Sequence, residues 1–258
     1  MREAFVRARC GSASRSHGPS VAAVVAFAIV LAACTAADRS SAPRSHVAAD
    51  YFPLTPGSRW TYQVEDFAFG WKLERRTTLR RRPIPALGRV GAILEESYSP
   101  SSDPVLRAPV QPIAYFWEGG YLHAIHVTEQ DRELTPIDGF ADLLVLPEAV
   151  RPGVTWNGAV PRKRDLGFAV EETRRVRMMN GAVRVPAGAF GRCIRVDSTV
   201  SHRSHTGTVE VSLHYSDWYA PGVGLVRSIM WHDRQRDHAR VRIELFEFRI
   251  PGSSHASR

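Results

Sequence analysis

Histidine and carboxylate pairs are the first places to look for chemistry in this chain. His123/His126 and His202/His205 are each three residues apart, with His214, His232 and His238 beyond them. On a helix that spacing puts both imidazoles on one face, but on a strand residues i and i+3 point to opposite faces. The flanking residues, such as Tyr121-Leu122 and Ala124-Ile125, have strand composition, so neither pair is expected to chelate. Zinc wants three or four convergent ligands, which no spacing here supplies, and neither a metal nor a cofactor is expected. Glu95-Glu96 and Glu171-Glu172 are adjacent, so each pair places one carboxylate on each face of a strand. Acid–base work by two carboxylates needs them facing each other across a cleft, and these are read as charged edges of exposed strands. Cys193 becomes a nucleophile only if Arg192 and Arg195 lower its pKa; otherwise it is a small apolar residue. No Gly-x-Ser-x-Gly, His-Glu-x-x-His or phosphate-cradling glycine loop is present. The expectation is therefore no catalytic residues.

The aromatics offer a different chemistry. All six tryptophans and nine of the eleven phenylalanines fall within residues 51–250, many for one β domain. Trp60, Trp71, Phe116, Trp117, Trp156, Trp218 and Trp231 either fill a core or line a curved sheet that leaves an apolar groove for acyl chains.

One cysteine has a role that its context names. Leu31-Ala32-Ala33-Cys34 closes an uncharged apolar run, Val21 to Ala33, that follows an arginine-bearing segment (Arg2, Arg7, Arg9, Arg15). The run is shorter than the roughly 20 residues that a membrane-spanning helix needs and fits the hydrophobic part of an export signal. It resembles the lipobox of bacterial lipoproteins, which implies removal of residues 1–33 and acylation of Cys34. Thr35 in place of Asp then implies delivery to the periplasmic face of the outer membrane. The alternative is ordinary signal cleavage near Ala32, Ala33 or Ala36, which leaves no lipid. Of the formal charge of +8, the leader carries four Arg and one Glu, so about +5 remains on the mature chain. An exported protein is a poor partner for nucleic acid; its basic surface suits anionic headgroups or is simply solvated. With Cys10 removed and Cys34 acylated, Cys193 has no disulfide partner, and the core alone must hold the fold.

The elements that would position these residues are strands. Residues 34–50 read as a tether, 51–250 as one β-rich domain and 251–258 as a disordered tail. Trp60, Tyr62 and Val64 alternate with polar neighbours, and so do Ile194 to Val200 and Val209 to Tyr215. Glu118-Gly119-Gly120 marks a hairpin turn, and Asn180-Gly181 is expected to mark another. Val241-Ile243-Leu245 gives way to Phe246-Phe248-Ile250, a change of phase that implies a bulge. Pro136 and Pro147 bound a short helix expected within 137–150. Pro56-Gly57-x-x-Trp60 and Pro152-Gly153-x-x-Trp156 echo each other as turns leading into an aromatic anchor. The class is all-β or β-rich α+β: a curved antiparallel sheet or half-barrel with at most one or two short helices.

Three segments together resemble a group of uncharacterised bacterial envelope lipoproteins. These are Tyr51-Phe52-Pro53-Leu54-x-x-Gly57-x-x-Trp60-x-Tyr62, Val185-Pro186-Ala187-Gly188-Ala189-Phe190, and Tyr219 to Val226 (YAPGVGLV). The resemblance implies an exported β domain, distantly similar to half-barrel carriers of the LolA/LolB type, and supplies no catalytic residues. The reading is a membrane-anchored, non-enzymatic binding or structural module, with lipid or a hydrophobic molecule as its ligand. A hydrolase assembled from scattered His, Asp and Glu, or a protein–protein scaffold, are the alternatives.

Overall fold

The computed structural model describes residues 46–99, 111–130, 132–137, 142–160, 169–203, 209–232 and 239–252. The lipobox, His205, His238 and the tail from 253 lie outside these residues. Strands dominate, as the alternating β-branched and aromatic runs require. They are β1 (His46–Val47), β2 (Arg59–Asp66), β3 (Trp71–Ile84), β4 (Arg89–Ser99), β5 (Ile113–Glu118), β6 (Tyr121–Gln130), β7 (Glu133–Pro136) and β8 (Asp142–Pro147), followed by β9 (Ala149–Val150), β10 (Thr155–Asn157), β11 (Ala159–Val160), β12 (Ala169–Val185), β13 (Gly188–Arg203), β14 (Val209–Ala220), β15 (Gly224–His232) and β16 (Val241–Arg249). The described helices are one turn, α1 (Ala48–Tyr51), and a 3-10 turn at Pro85–Leu87. Neither is long enough to cross a membrane.

One antiparallel sheet follows the path β10-β12-β13-β14-β15-β16-β2-β3-β4-β5-β6-β8-β11, with β7 pairing β6 off that path. Its two terminal strands do not pair with each other, yet they are consecutive in the chain and meet at Gly158. The Gly158 amide donates to the Glu172 carbonyl on β12 (2.7 Å), and its own carbonyl accepts from Leu144 on β8 (2.8 Å). The curved sheet thus has a seam spanned by a single short segment. Gly158 has no room for a side chain: an added Cβ would lie 2.6 Å from Glu172 Cδ and 2.7 Å from Arg174 Nε.

Two apolar clusters fill the inner face, one around Trp60, Leu79, Val226 and Leu245 and the other around Leu122, Leu146, Ile194 and Val196. A third (Ile84, Ile93, Ala114, Ile125, Val127, Leu134) takes the opposite parity on β4 to β6 and includes a residue of β7. The inner clusters also hold Ala48 and Tyr51, so residues 46–50, read from the sequence as tether, belong to described elements, β1 and α1.

Two local expectations are corrected. The helix expected within 137–150 is replaced, over its described residues, by β8 and β9. Leu143-Leu144-Val145-Leu146 is a short apolar run, and such a run carries no periodicity that separates helix from strand. Asn180-Gly181 is not a hairpin turn either. β12 runs through it with register shifts between Val176 and Val183, and the chain reverses at Pro186-Ala187 instead. Asn180 does take positive φ (57°), but it serves a bulge. The slip implied at Phe246 is present, between Leu245 and Glu247.

Candidate functional site

The inner face, beside the seam, lines a partly open cavity of about 290 Å³, near the lower end of the roughly 300–1,000 Å³ range of small-molecule sites. Most of its wall is apolar or aromatic: Phe52, Trp60, Tyr62, Leu94, Ile113, Tyr115, Leu143, Val145, Tyr219 and Leu225. Set into that wall are Arg75, Glu96, Arg174 and Asp217. Strand alternation delivers them, since Arg75 is two residues from Leu73 and from Thr77, Glu96 from Leu94, and Asp217 lies between Tyr215 and Tyr219.

The two arginines are held differently. Arg174 Nε donates to Glu172 Oε1 at 2.8 Å, and Nη1 donates to the Val145 carbonyl at 3.3 Å, so this side chain ties β12 to β8 across the seam. Arg75 lies under the Tyr62 ring (4.6 Å from Cζ to the centroid), donates to the Tyr98 hydroxyl, and has its nearest carboxylate, Glu96, at 3.7 Å. Its Nε is shielded from solvent and has no hydrogen-bond partner. An unmatched buried donor costs about 1–3 kcal/mol.

Burial sets the protonation of the wall. It pushes the Tyr62, Tyr115 and Tyr219 hydroxyls well above the ordinary tyrosine value, so all three remain neutral. Burial also raises Asp217, against the opposing pull of a Ser228 hydrogen bond and of Arg174. Arg75 Nε–H and a protonated Asp217 can both donate to an acceptor placed among them. Thr77 carries the aliphatic hydroxyl of the wall, and its Oγ1 donates to the Trp60 carbonyl (3.4 Å), away from a nucleophile's role.

The residues singled out from the sequence distribute unevenly. Trp60 lines the cavity, and its indole N–H donates to Val223 O (2.7 Å). Trp156, the other half of the Pro-Gly-x-x-Trp echo, donates to Leu144 O (2.8 Å) and packs in the second inner cluster rather than on the cavity wall. Both preceding glycines have positive φ, 85° and 82°. Trp218 lies within reach of the Arg195 and Arg227 guanidiniums, Trp231 stacks on His214, and Trp71 and Trp117 are exposed. Phe116 belongs to the third cluster, where His123 stacks on it at 5.2 Å.

The paired acids do divide between faces, but not as exposed edges. Glu96 lines the cavity and Glu172 is buried against Arg174, whereas Glu95 meets Arg80 on the outside (3.1 Å) and Glu171 is exposed. Curvature turns one face of each strand into an interior, which adjacency in sequence cannot reveal. His126 is influenced by Glu96, and burial lowers its pKa, whereas His123 points to Phe116. Among the described residues no three potential metal ligands converge. Cys193 is fully buried, and burial pushes its thiol up to about 11.

The inward charges were missed from the sequence. The signal was available: arginine or aspartate interrupts an apolar parity row in Leu73-x-Arg75-x-Thr77-x-Leu79 and in Tyr215-x-Asp217-x-Tyr219.

A profile of the DUF3108-like family matches residues 163–236. A search of curated proteins finds no match. Among solved structures, the chain is similar to an exported protein with a YmcC-like fold from Bacteroides fragilis, at 14% identity and TM-score 0.46. It is also similar to a lipoprotein from Parabacteroides distasonis, at 14% identity and TM-score 0.43. Each alignment covers 77% of this chain and 98% of the other.

Proposed function

We propose that the chain is a lipid-anchored protein of the bacterial envelope whose β domain binds one amphiphilic molecule in its interior cavity. The apolar tail lies against the aromatic wall, and an anionic head accepts from Arg75. The single observation that carries the ligand reading is the unpartnered Nε of Arg75 on a largely apolar and aromatic wall. A donor left unmatched in the empty protein is a donor a ligand can match. Anchorage is supported by the Leu31-Ala32-Ala33-Cys34 motif and by the uncharged run before it.

The test of binding is titration of the purified Cys34→Ala chain with decanesulfonate, a permanently charged medium-chain amphiphile, read through intrinsic tryptophan fluorescence. Saturable one-to-one binding that decane-1-ol does not match is expected. Equal binding of the alcohol, or none of either, overturns the assignment of Arg75. Anchorage is tested separately: processing should be globomycin-sensitive, and Cys34→Ala should leave the membrane fraction. Unchanged membrane retention of that variant overturns the lipid anchor.

A further inference from the structure

The cavity does not explain the most exposed apolar feature of the described surface, which is the turn between β2 and β3. Within the six residues Asp66 to Trp71, three aromatic side chains stand in solvent: Phe67 at 45%, Phe69 at 59% and Trp71 at 42% of full exposure. The turn is locally fixed. Asp66 Oδ1 accepts from the Ala68 and Phe69 amides (2.9 and 3.1 Å), the Phe67 amide donates to Arg240 O (2.8 Å), and Gly70 takes positive φ. Phe69 and Trp71 stack on each other at 4.9 Å, so the aromatics form one surface.

Cations surround that surface. The Arg242 guanidinium lies 5.2 Å from the Phe67 ring, Arg240 lies 6.0 Å from Phe69, and the Lys72 side chain is 80% exposed. Glu65 accepts from both Lys72 (3.0 Å) and Arg242 (2.5 Å), and Glu244 lies 3.9 Å from Arg242. Asp66 is engaged in the turn itself. The donors of these cations that Glu65 and Glu244 do not take can meet phosphate. Tryptophan and phenylalanine ringed by arginine and lysine make up the composition that partitions into the headgroup region of a bilayer.

We propose that this aromatic turn is a membrane-contacting element: Phe67, Phe69 and Trp71 enter the interface of a bilayer while Arg240, Arg242 and Lys72 meet anionic lipid phosphates. It requires neither the acyl chain on Cys34 nor an occupied cavity, and both can be held constant in its test.

The test uses the chain from Thr35 onward, which carries neither an acyl anchor nor the apolar leader, with vesicles of phosphatidylethanolamine and phosphatidylglycerol (3:1) or of phosphatidylcholine alone. Co-sedimentation should favour the anionic vesicles, and Phe69→Ser/Trp71→Ser should lower the partition coefficient by about tenfold or more. Trp71→Phe should keep most of the partition while removing most of the quenching by brominated acyl chains, which assigns the contact to this turn. Arg240→Gln/Arg242→Gln should erase the preference for anionic vesicles. Far-ultraviolet circular dichroism of each variant reports whether the fold is intact. Equal partition of the Ser/Ser variant and its parent overturns the proposal. So does a concentration-dependent dimer that the Ser/Ser variant dissolves without any vesicle binding, because the turn would then be a self-association face.

Discussion

Arg174 and Arg75 line the same cavity, yet one is a fastener and the other is not. Arg174 has a close carboxylate at 2.8 Å and a carbonyl on the far side of the seam. Arg75 has a distant carboxylate at 3.7 Å, the Tyr98 hydroxyl, an aromatic face and an unmatched Nε. A buried charge persists only where something compensates its desolvation. For Arg174 the compensation is built into the strands; for Arg75 part of it is left to whatever enters the cavity. The contrast separates what holds this sheet together from what it is for, and it can be attacked from either side.

The largest effect is expected at the fastener. Arg174→Met leaves Glu172 buried without its cation and removes a tie between β12 and β8, costing about 3–5 kcal/mol. Denaturant unfolding followed by circular dichroism measures it. Glu172→Gln/Arg174→Met should recover much of that loss, because no orphaned charge remains. A single variant as stable as its parent would erase the distinction between the two arginines.

Arg75 should respond in the opposite way. Arg75→Met/Glu96→Gln removes both members of the loose pair together, and stability should change by no more than about 1 kcal/mol. Decanesulfonate affinity should instead fall by about ten- to a hundredfold, the 1.5–3 kcal/mol of a hydrogen bond to a charged group. If stability collapses while affinity survives, the roles have been assigned the wrong way round.

The seam glycine sharpens the same contrast. Gly158→Ala drives a methyl group into Glu172 Cδ and Arg174 Nε, and overpacking of this kind costs about 1–3 kcal/mol. Thermal melting should register that loss. Ligand affinity at Arg75 should be little changed, since the added methyl meets the fastener alone. A tolerated alanine with unaltered melting would mean that the ion pair can move, and that it does not pin the seam.

The strands were legible in the sequence because alternation is local. Trp60-x-Tyr62, Ile194-x-Val196 and the phase change at Phe246 each announce their geometry within a few residues. The site was not legible, because its inwardness depends on closure. Glu74-Arg75-Arg76 reads as a polar surface run until β2, β3 and β4 curve around Tyr62 and Tyr115, and until Gly158 joins β12 to β8. The same long-range fact decides which member of Glu95-Glu96 faces the cavity. Asn180-Gly181 and Leu143 to Leu146 fail for a different reason. Their local signals, positive φ and apolarity, are each compatible with two structures, and pairing with neighbouring strands selects between them.

Asp217 gives the smallest effect, and its sign follows from burial. Its carboxyl is raised above the ordinary 3.8 because desolvation penalises the charged form more than Ser228 and Arg174 stabilise it. Below 3.8 the group is protonated in both folded and unfolded chains and makes no difference to stability. As pH rises through the raised value, the unfolded chain has already lost its proton while the folded one still holds it, so folding is increasingly penalised. Ligand binding runs in the same direction. A neutral Asp217 can donate to an anionic head near Arg75, whereas an ionised one repels it. Decanesulfonate stays charged throughout, so its affinity should drop by about three- to tenfold as pH rises through that window, a modest Coulomb term in a partly screened interior. Asp217→Asn should flatten the profile and hold affinity at its acidic level. A parent protein whose affinity is independent of pH, or whose affinity rises with pH, would show that the head group does not come near Asp217. That result would leave Arg75 as the sole polar contact.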